Sequence, residues 1–149
     1  MRILLVASSG GHLAQLMTLR PWWEQHTRRW ITFDTIDAQS LLADEDVSYG
    51  FSPTTRNIPN LARNAKMARK ELASFRPDVI ISTGAGIAVP YFWLARRYGA
   101  RTVYLEVIDR IDLPTMTGRL VYPVTDAFLA QWPEQTRQYP RAQVVGPVI

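Results

Sequence analysis

The stretch Ile3-Leu4-Leu5-Val6-Ala7-Ser8-Ser9-Gly10-Gly11-His12 decides the fold class. Five apolar residues in succession read as a strand buried on both faces, as in a parallel sheet. The run then breaks into small residues, and the apolar spacing of Leu13, Leu16 and Met17 predicts a helix from His12 to about Gln25, interrupted at Pro21. A strand that turns through glycines into a helix leaves backbone N–H groups free to meet an anion. Ser9, Gly10 and Gly11 are therefore candidate phosphate contacts. His12 adds a group that titrates near neutral pH and is a candidate general base.

The same alternation continues outward. Strands are expected at Trp30–Phe33, Val47–Phe51, Asp78–Ser82 and Arg101–Leu105, with edge strands at Asp126–Ala130 and Gln143–Val145. Helices are expected at Thr35–Leu42, Ile58–Phe75 and Gly86–Tyr98, and a short one near Glu134–Gln138. The long helix has its apolar positions at Ile58, Leu61, Ala65, Ala68, Leu72 and Phe75. Gly99 is placed to cap the helix before the fifth strand, and residues from Glu106 to Thr115 read as a loop. Strands alternating with helices specify an α/β fold with a Rossmann-like, doubly wound parallel sheet. No linker or repeat divides the chain, so residues 1–149 are read as one domain. The end at Gly146-Pro147-Val148-Ile149, directly after a strand, suggests a unit completed by something else.

Composition narrows the classes. A hydrophobic fraction of 47% excludes disorder. There are no cysteines, which removes disulfides, thiolate metal sites and thiol catalysis. No metal site or cofactor is expected. No apolar run is long enough to span a membrane, and no signal peptide is recognisable, so a cytoplasmic location is expected. The net charge of +4 and a pI near 9.8 favour an acidic partner without choosing one.

A second small-residue turn, Ser82-Thr83-Gly84-Ala85-Gly86, repeats the strand–turn–helix pattern. In a parallel sheet two such turns meet at the carboxyl edge, where ligands bind. Ser82, Thr83, Gly84, Ala85 and Gly86 join the candidate anion site. The fifth strand ends at the same edge in Glu106-Val107-Ile108-Asp109-Arg110. Glu106 is a second candidate base, and Arg110 a candidate phosphate ligand. Neither turn matches the G-x-G-x-x-G fingerprint or a P-loop. A free-standing Rossmann-like nucleotide-binding module remains the alternative reading.

Surface character gives a further expectation. Six basic residues and one acid lie between Arg56 and Arg76, with Arg63, Lys66 and Lys70 on one helical face. Trp22 and Trp23 stand among arginines. These five residues are candidates for a membrane surface. No nucleic-acid motif is present, and no nucleic-acid partner is expected.

Several segments resemble a known family: SSGGHLAQL at 8–16, STGAGIAVPYFWLARRYGARTVYLEV at 82–107, TGRLVYP at 117–123, FLAQW at 128–132 and VVGPV at 144–148. They are similar to the PssD-like polysaccharide biosynthesis proteins. The eukaryotic relative is the membrane-anchoring subunit of the N-glycan GlcNAc transferase (Alg-fourteen), and a more distant similarity is to the N-terminal half of MurG. The resemblance implies the N-terminal, acceptor-side half of a GT-B glycosyltransferase. It further implies a partner subunit, similar to the C-terminal half of MurG, that binds a UDP-sugar. The implied acceptor is a polyprenyl-pyrophosphate-linked sugar at the inner face of the cell membrane, in exopolysaccharide or capsule synthesis. The isolated chain is then expected to be inactive and only peripherally attached to that membrane.

Overall fold

A computed structural model describes residues 1–148. These residues form one parallel sheet in the order β3-β2-β1-β4-β5-β6-β7. The strands are β1 (Arg2–Ala7), β2 (Thr27–Thr32), β3 (Val47–Tyr49), β4 (Val79–Gly84), β5 (Arg101–Leu105), β6 (Ala127–Ala130) and β7 (Gln143–Val144). The chain steps from β1 out to β3, crosses back through helix α4 (Ile58–Phe75), and builds β4 to β7 on the other side of β1. With right-handed crossovers, this order puts the connections of the two halves on opposite faces. The expected Rossmann-like, doubly wound α/β architecture is present.

Strand β1 is central, and its unbroken apolar run follows from that position. Leu4 and Val6 enter one core with Ala68, Leu72 and Phe75 of α4 and Tyr91 and Phe92 of α5 (Ala88–Leu94). Ile3, Leu5 and Ala7 enter the other core. There they meet Leu13 and Leu16 of α1 (Gly11–Thr18), Trp23 of α2 (Arg20–Trp23) and Ala38 of α3 (Ile36–Leu41). Covered on both faces, β1 has no position for a polar side chain between Ile3 and Ala7.

Three expectations need correction. Strand β6 is not an edge strand: it lies between β5 and β7, and Phe128 and Ala130 are buried. Helix α6 (Met116–Val121) was not foreseen; it starts where the Thr115 hydroxyl accepts the Gly118 N–H. The apolar stripe of α4 holds only at its C-terminal end. Ala68, Leu72 and Phe75 are buried, but Ile58 is 77% and Leu61 46% exposed. Asn60 and Asn64 turn inward there instead. Asn60 donates to the Pro53 carbonyl at 2.8 Å, and Asn64 bonds both backbone groups of Phe51. A non-repetitive segment packed against a helix must have its backbone polar groups satisfied, and this need sets which face turns in.

Other boundaries follow local chemistry. The Asn57 side chain caps α4, and Arg76 closes it in the left-handed region at φ 52°. After α5 the helix tightens into a 3₁₀ turn over Ala95–Tyr98 that ends on Gly99 at φ 75°. On the side of the sheet that carries α1, Val103 of β5 and Ala127 and Leu129 of β6 remain half exposed. No helix among the described residues is long and apolar enough to cross a membrane.

Candidate active site

Strands β1 and β4 are hydrogen-bonded neighbours, so their two small-residue turns emerge side by side at the carboxyl edge. His12, second residue of α1, bridges them. Its Nδ1 lies 2.9 Å from the Thr83 carbonyl oxygen, and the Thr83 hydroxyl donates to the His12 carbonyl at 2.6 Å. A carbonyl only accepts, so Nδ1 carries the hydrogen in this pair, and the neutral ring has its lone pair on Nε2. The imidazole is half-buried. Gly84 makes room for it: at φ 130°, a Cβ there would come 2.7 Å from His12 Cε1 and 3.2 Å from the Tyr104 hydroxyl. Both the backbone angle and the space require glycine.

The donors of the two turns are partly spent within the protein. The Gly10 N–H donates to Asp37 at 2.8 Å, and Asp37 also accepts the Thr35 hydroxyl at 2.6 Å. These bonds, the Thr35 hydroxyl foremost, hold the Asp37 carboxyl below its ordinary range. Gly10 is therefore not a free phosphate donor, and the carboxylate beside it repels an anion. Gly11 and the His12 amide precede the first intrahelical bond, from Ala14 N–H to the Gly10 carbonyl, and remain available. Ser9 is half-buried beside them.

In the second turn Ser82 and Thr83 are buried. The Ser82 hydroxyl accepts the Gly84 N–H, and Thr83 is committed to His12. Expected as phosphate contacts, these two side chains instead build the turn. Gly84 is buried, while Ala85 and Gly86 reach the surface partly covered.

Glu106 is corrected more strongly. It is fully buried. Its carboxylate accepts the Tyr139 hydroxyl at 2.7 Å, the Thr115 hydroxyl at 3.0 Å and the Val107 N–H at 3.0 Å. Burial first, and the Glu106 charge second, push the Tyr139 phenol above its ordinary range and keep it a donor. Gly118 admits this cluster, since a Cβ there would meet the Tyr139 hydroxyl, Glu106 Oε2 and the Thr115 hydroxyl. A carboxylate enclosed in this way is committed to partners inside the fold, against the expectation that it serves as a base.

The loop beginning at Glu106 is strapped through its carbonyls. Gln131 donates to the carbonyl of Glu106, Gln135 to those of Val107 and Arg110, Trp132 to that of Ile108, and Gln138 to that of Asp112. Arg110 stays exposed on this rigid loop at the sheet's carboxyl edge. Reading the sequence missed Thr115, Gly118, Tyr139 and the glutamines. Three glutamines in the eight residues from 131 to 138 were the available signal.

The expected membrane residues do not form one surface. Trp23 is core: it is 1% exposed, and its indole donates to the Leu16 carbonyl. Its ring stacks edge-on with buried Trp30, and Arg28 lies over it while pairing with Glu45. Trp22 is partly exposed, but it belongs to the side of the sheet opposite α4. Lys66 and Lys70 are exposed on α4; Arg63 is exposed too, and donates to Asn60. A groove of about 710 Å³ runs between the start of α4 and α6, lined by Ile58, Leu61, Val89, Met116 and Leu120, and by Gly86 of the second turn. No group of three or more His, Asp or Glu among the described residues could hold a metal ion.

Comparison with known proteins places this geometry. Among solved structures, Acinetobacter baumannii MurG superposes with a TM-score of 0.73 at 16% identity over 89% of this chain and 42% of its own. UDP-GlcNAc 2-epimerase from Methanocaldococcus jannaschii gives 0.72 at 16% identity over 98% of this chain and 45% of its own. The fold is that of the N-terminal half of MurG. The UDP-N-acetylglucosamine transferase subunit ALG14 of Eremothecium gossypii is 32% identical over 121 residues, 73% of this chain and 53% of the relative. The subunit of the same name from Mus musculus is 23% identical over all of this chain and 83% of its own length. The chain thus spans about half of the fungal relative and under half of either solved structure. The family model described as "Oligosaccharide biosynthesis protein Alg14 like" matches residues 47–148, and the chain belongs to that family.

Proposed function

We propose that this chain is the acceptor-side subunit of a two-component glycosyltransferase. A partner subunit binds the UDP-sugar, and the acceptor is a polyprenyl-pyrophosphate-linked sugar at the membrane face, in exopolysaccharide or capsule synthesis. The observation that carries this reading is His12. Its imidazole is fixed by Thr83 at the edge where two small-residue turns meet, with Nε2 free to accept a proton. The relatives' printed name, UDP-N-acetylglucosamine transferase subunit, supports a glycosyl transfer and a further subunit.

The chemistry is a displacement. An acceptor hydroxyl gives its proton to His12 Nε2 while its oxygen bonds to the anomeric carbon of the donor. The bond from that carbon to the UDP oxygen breaks, and UDP leaves with the electron pair. The unbonded amides at Gly11 and His12 would hold the acceptor's pyrophosphate, with the exposed Arg110 guanidinium as a further candidate ligand. Glu106 stabilises the floor beneath and takes no part in proton transfer.

The test is reconstitution. The chain, its partner, UDP-GlcNAc as first donor and a polyprenyl-pyrophosphate-linked sugar should give transfer, and the chain without partner none. Full turnover by the isolated chain, or none from the complex with any UDP-sugar, sinks the reading.

A further inference from the structure

We propose that the groove between α4 and α6, with the apolar side chains around it, is the surface this chain lays on an anionic lipid bilayer. The proposal rests on the reading of a lipid-linked acceptor and assigns the membrane contact to a different place from Trp22 and Trp23.

Five large apolar side chains are exposed here: Ile58, Leu61, Trp93, Met116 and Leu120. They come from α4, α5 and α6. Four of them line the one groove, and the Trp93 indole donates to the Leu120 carbonyl at 3.0 Å, tying α5 to α6. Scattered exposed leucines are ordinary on a protein surface, but a cluster drawn from three elements is not.

The charges around the cluster identify its occupant. The groove lining contains Arg56 and no acid. Arg119 is exposed on α6 between Met116 and Leu120, and no ion pair among the described residues engages either arginine. Along α4, Lys66, Arg69 and Lys70 are exposed, while the helix's one acid, Glu71, turns inward to Arg29 at 3.1 Å. Asp109 and Asp112, on the loop before Leu113, are the nearest acids in sequence. An apolar centre beside unpaired cations matches acyl chains below and anionic headgroups above. Because Gly86 lines the same groove, a bilayer seated here delivers its lipid-linked headgroups directly to the turn beside His12.

Vesicle flotation of the purified chain tests this without donor or partner. The chain should float with vesicles of mixed phosphatidylglycerol and phosphatidylcholine, and less with phosphatidylcholine alone. The triple variant Leu61→Ser/Met116→Ser/Leu120→Ser should weaken binding at least about tenfold, with an unchanged circular dichroism spectrum because all three side chains are exposed. Arg56→Glu/Arg119→Glu should weaken binding to the anionic vesicles alone, and Trp22→Ser should change nothing. A wild-type chain that stays in the dense fraction, or a triple variant that floats as well as wild type, overturns the proposal. Flotation is independent of turnover, so a complex that transfers no sugar while the chain still floats counts against the proposed function and not against this surface.

Discussion

His12 and Thr83 are joined twice. The imidazole Nδ1–H points at the Thr83 carbonyl, and the Thr83 hydroxyl returns a bond to the His12 carbonyl. The pair locks the start of α1 to the end of β4 and sets one tautomer of the ring. Positioning of the imidazole proposed as base thereby falls to backbone and a buried threonine, and not to a carboxylate.

His12→Ala should lower transfer by the reconstituted complex about a hundredfold or more while subunit association is retained. His12→Gln should be equally inactive, because an amide cannot take the proton. Steady-state rates with a pull-down of the complex check both, and near-normal rates would remove His12 from the chemistry.

Gly84→Ala should act through His12. Its Cβ would stand 2.7 Å from the imidazole, and the φ of 130° is strained for alanine. A loss of about 1–3 kcal/mol in stability is expected, with a transfer rate reduced about tenfold or more by displacement of the ring. A normal rate in a folded variant would show that the ring position is not critical.

Glu106→Ala should behave as a stability variant. It strands the hydroxyls of Tyr139 and Thr115 and the Val107 amide in the interior. The cost is about 2–4 kcal/mol, read as a lower urea midpoint. Gly118→Ala, which drives a methyl into the same cluster, should match it. Wild-type stability with lost transfer in Glu106→Ala would restore Glu106 as a base.

Acid should loosen the β2–β3 side of the sheet. The Arg28 guanidinium, and the Trp30 indole after it, hold the Glu45 carboxyl below its ordinary value of 4.5. A carboxyl with a depressed folded pKa stabilises the fold fully above its unfolded value and loses that contribution as pH falls through the folded one. The decline therefore belongs below about pH 4.5. Urea midpoints measured across this range should fall more steeply for wild type than for Glu45→Gln.

The two tryptophans should separate cleanly. Trp23→Ser opens the core beside Trp30 and should cost about 3–5 kcal/mol. Trp22→Ser should be nearly silent in the same melts.

The sheet was legible from the sequence because β1 and β4 carry apolar runs that end in glycine turns, and such runs belong to central parallel strands. The meeting of His12 with the second turn followed from strand adjacency alone. What escaped has a common cause. Burial of Glu106 depends on Tyr139, thirty-three residues away. The inward turn of Asn60 and Asn64 depends on the hydrogen-bonding needs of Phe51 and Pro53. Trp23 beside arginines looks like a surface residue until Glu45 is seen to neutralise Arg28. Polar residues engaged over long separations leave no periodic trace in the sequence.

The strapped loop divides its labour between atoms. Its carbonyls are held by Gln131, Trp132, Gln135 and Gln138 from another segment, so its shape does not depend on the side chains of Asp109, Arg110 or Asp112. Asp109 and Asp112 can be randomised as a library without dismantling the scaffold, with Arg110 kept for the pyrophosphate of the proposed acceptor. On the proposed function, variants with a different acceptor sugar would be sought there first.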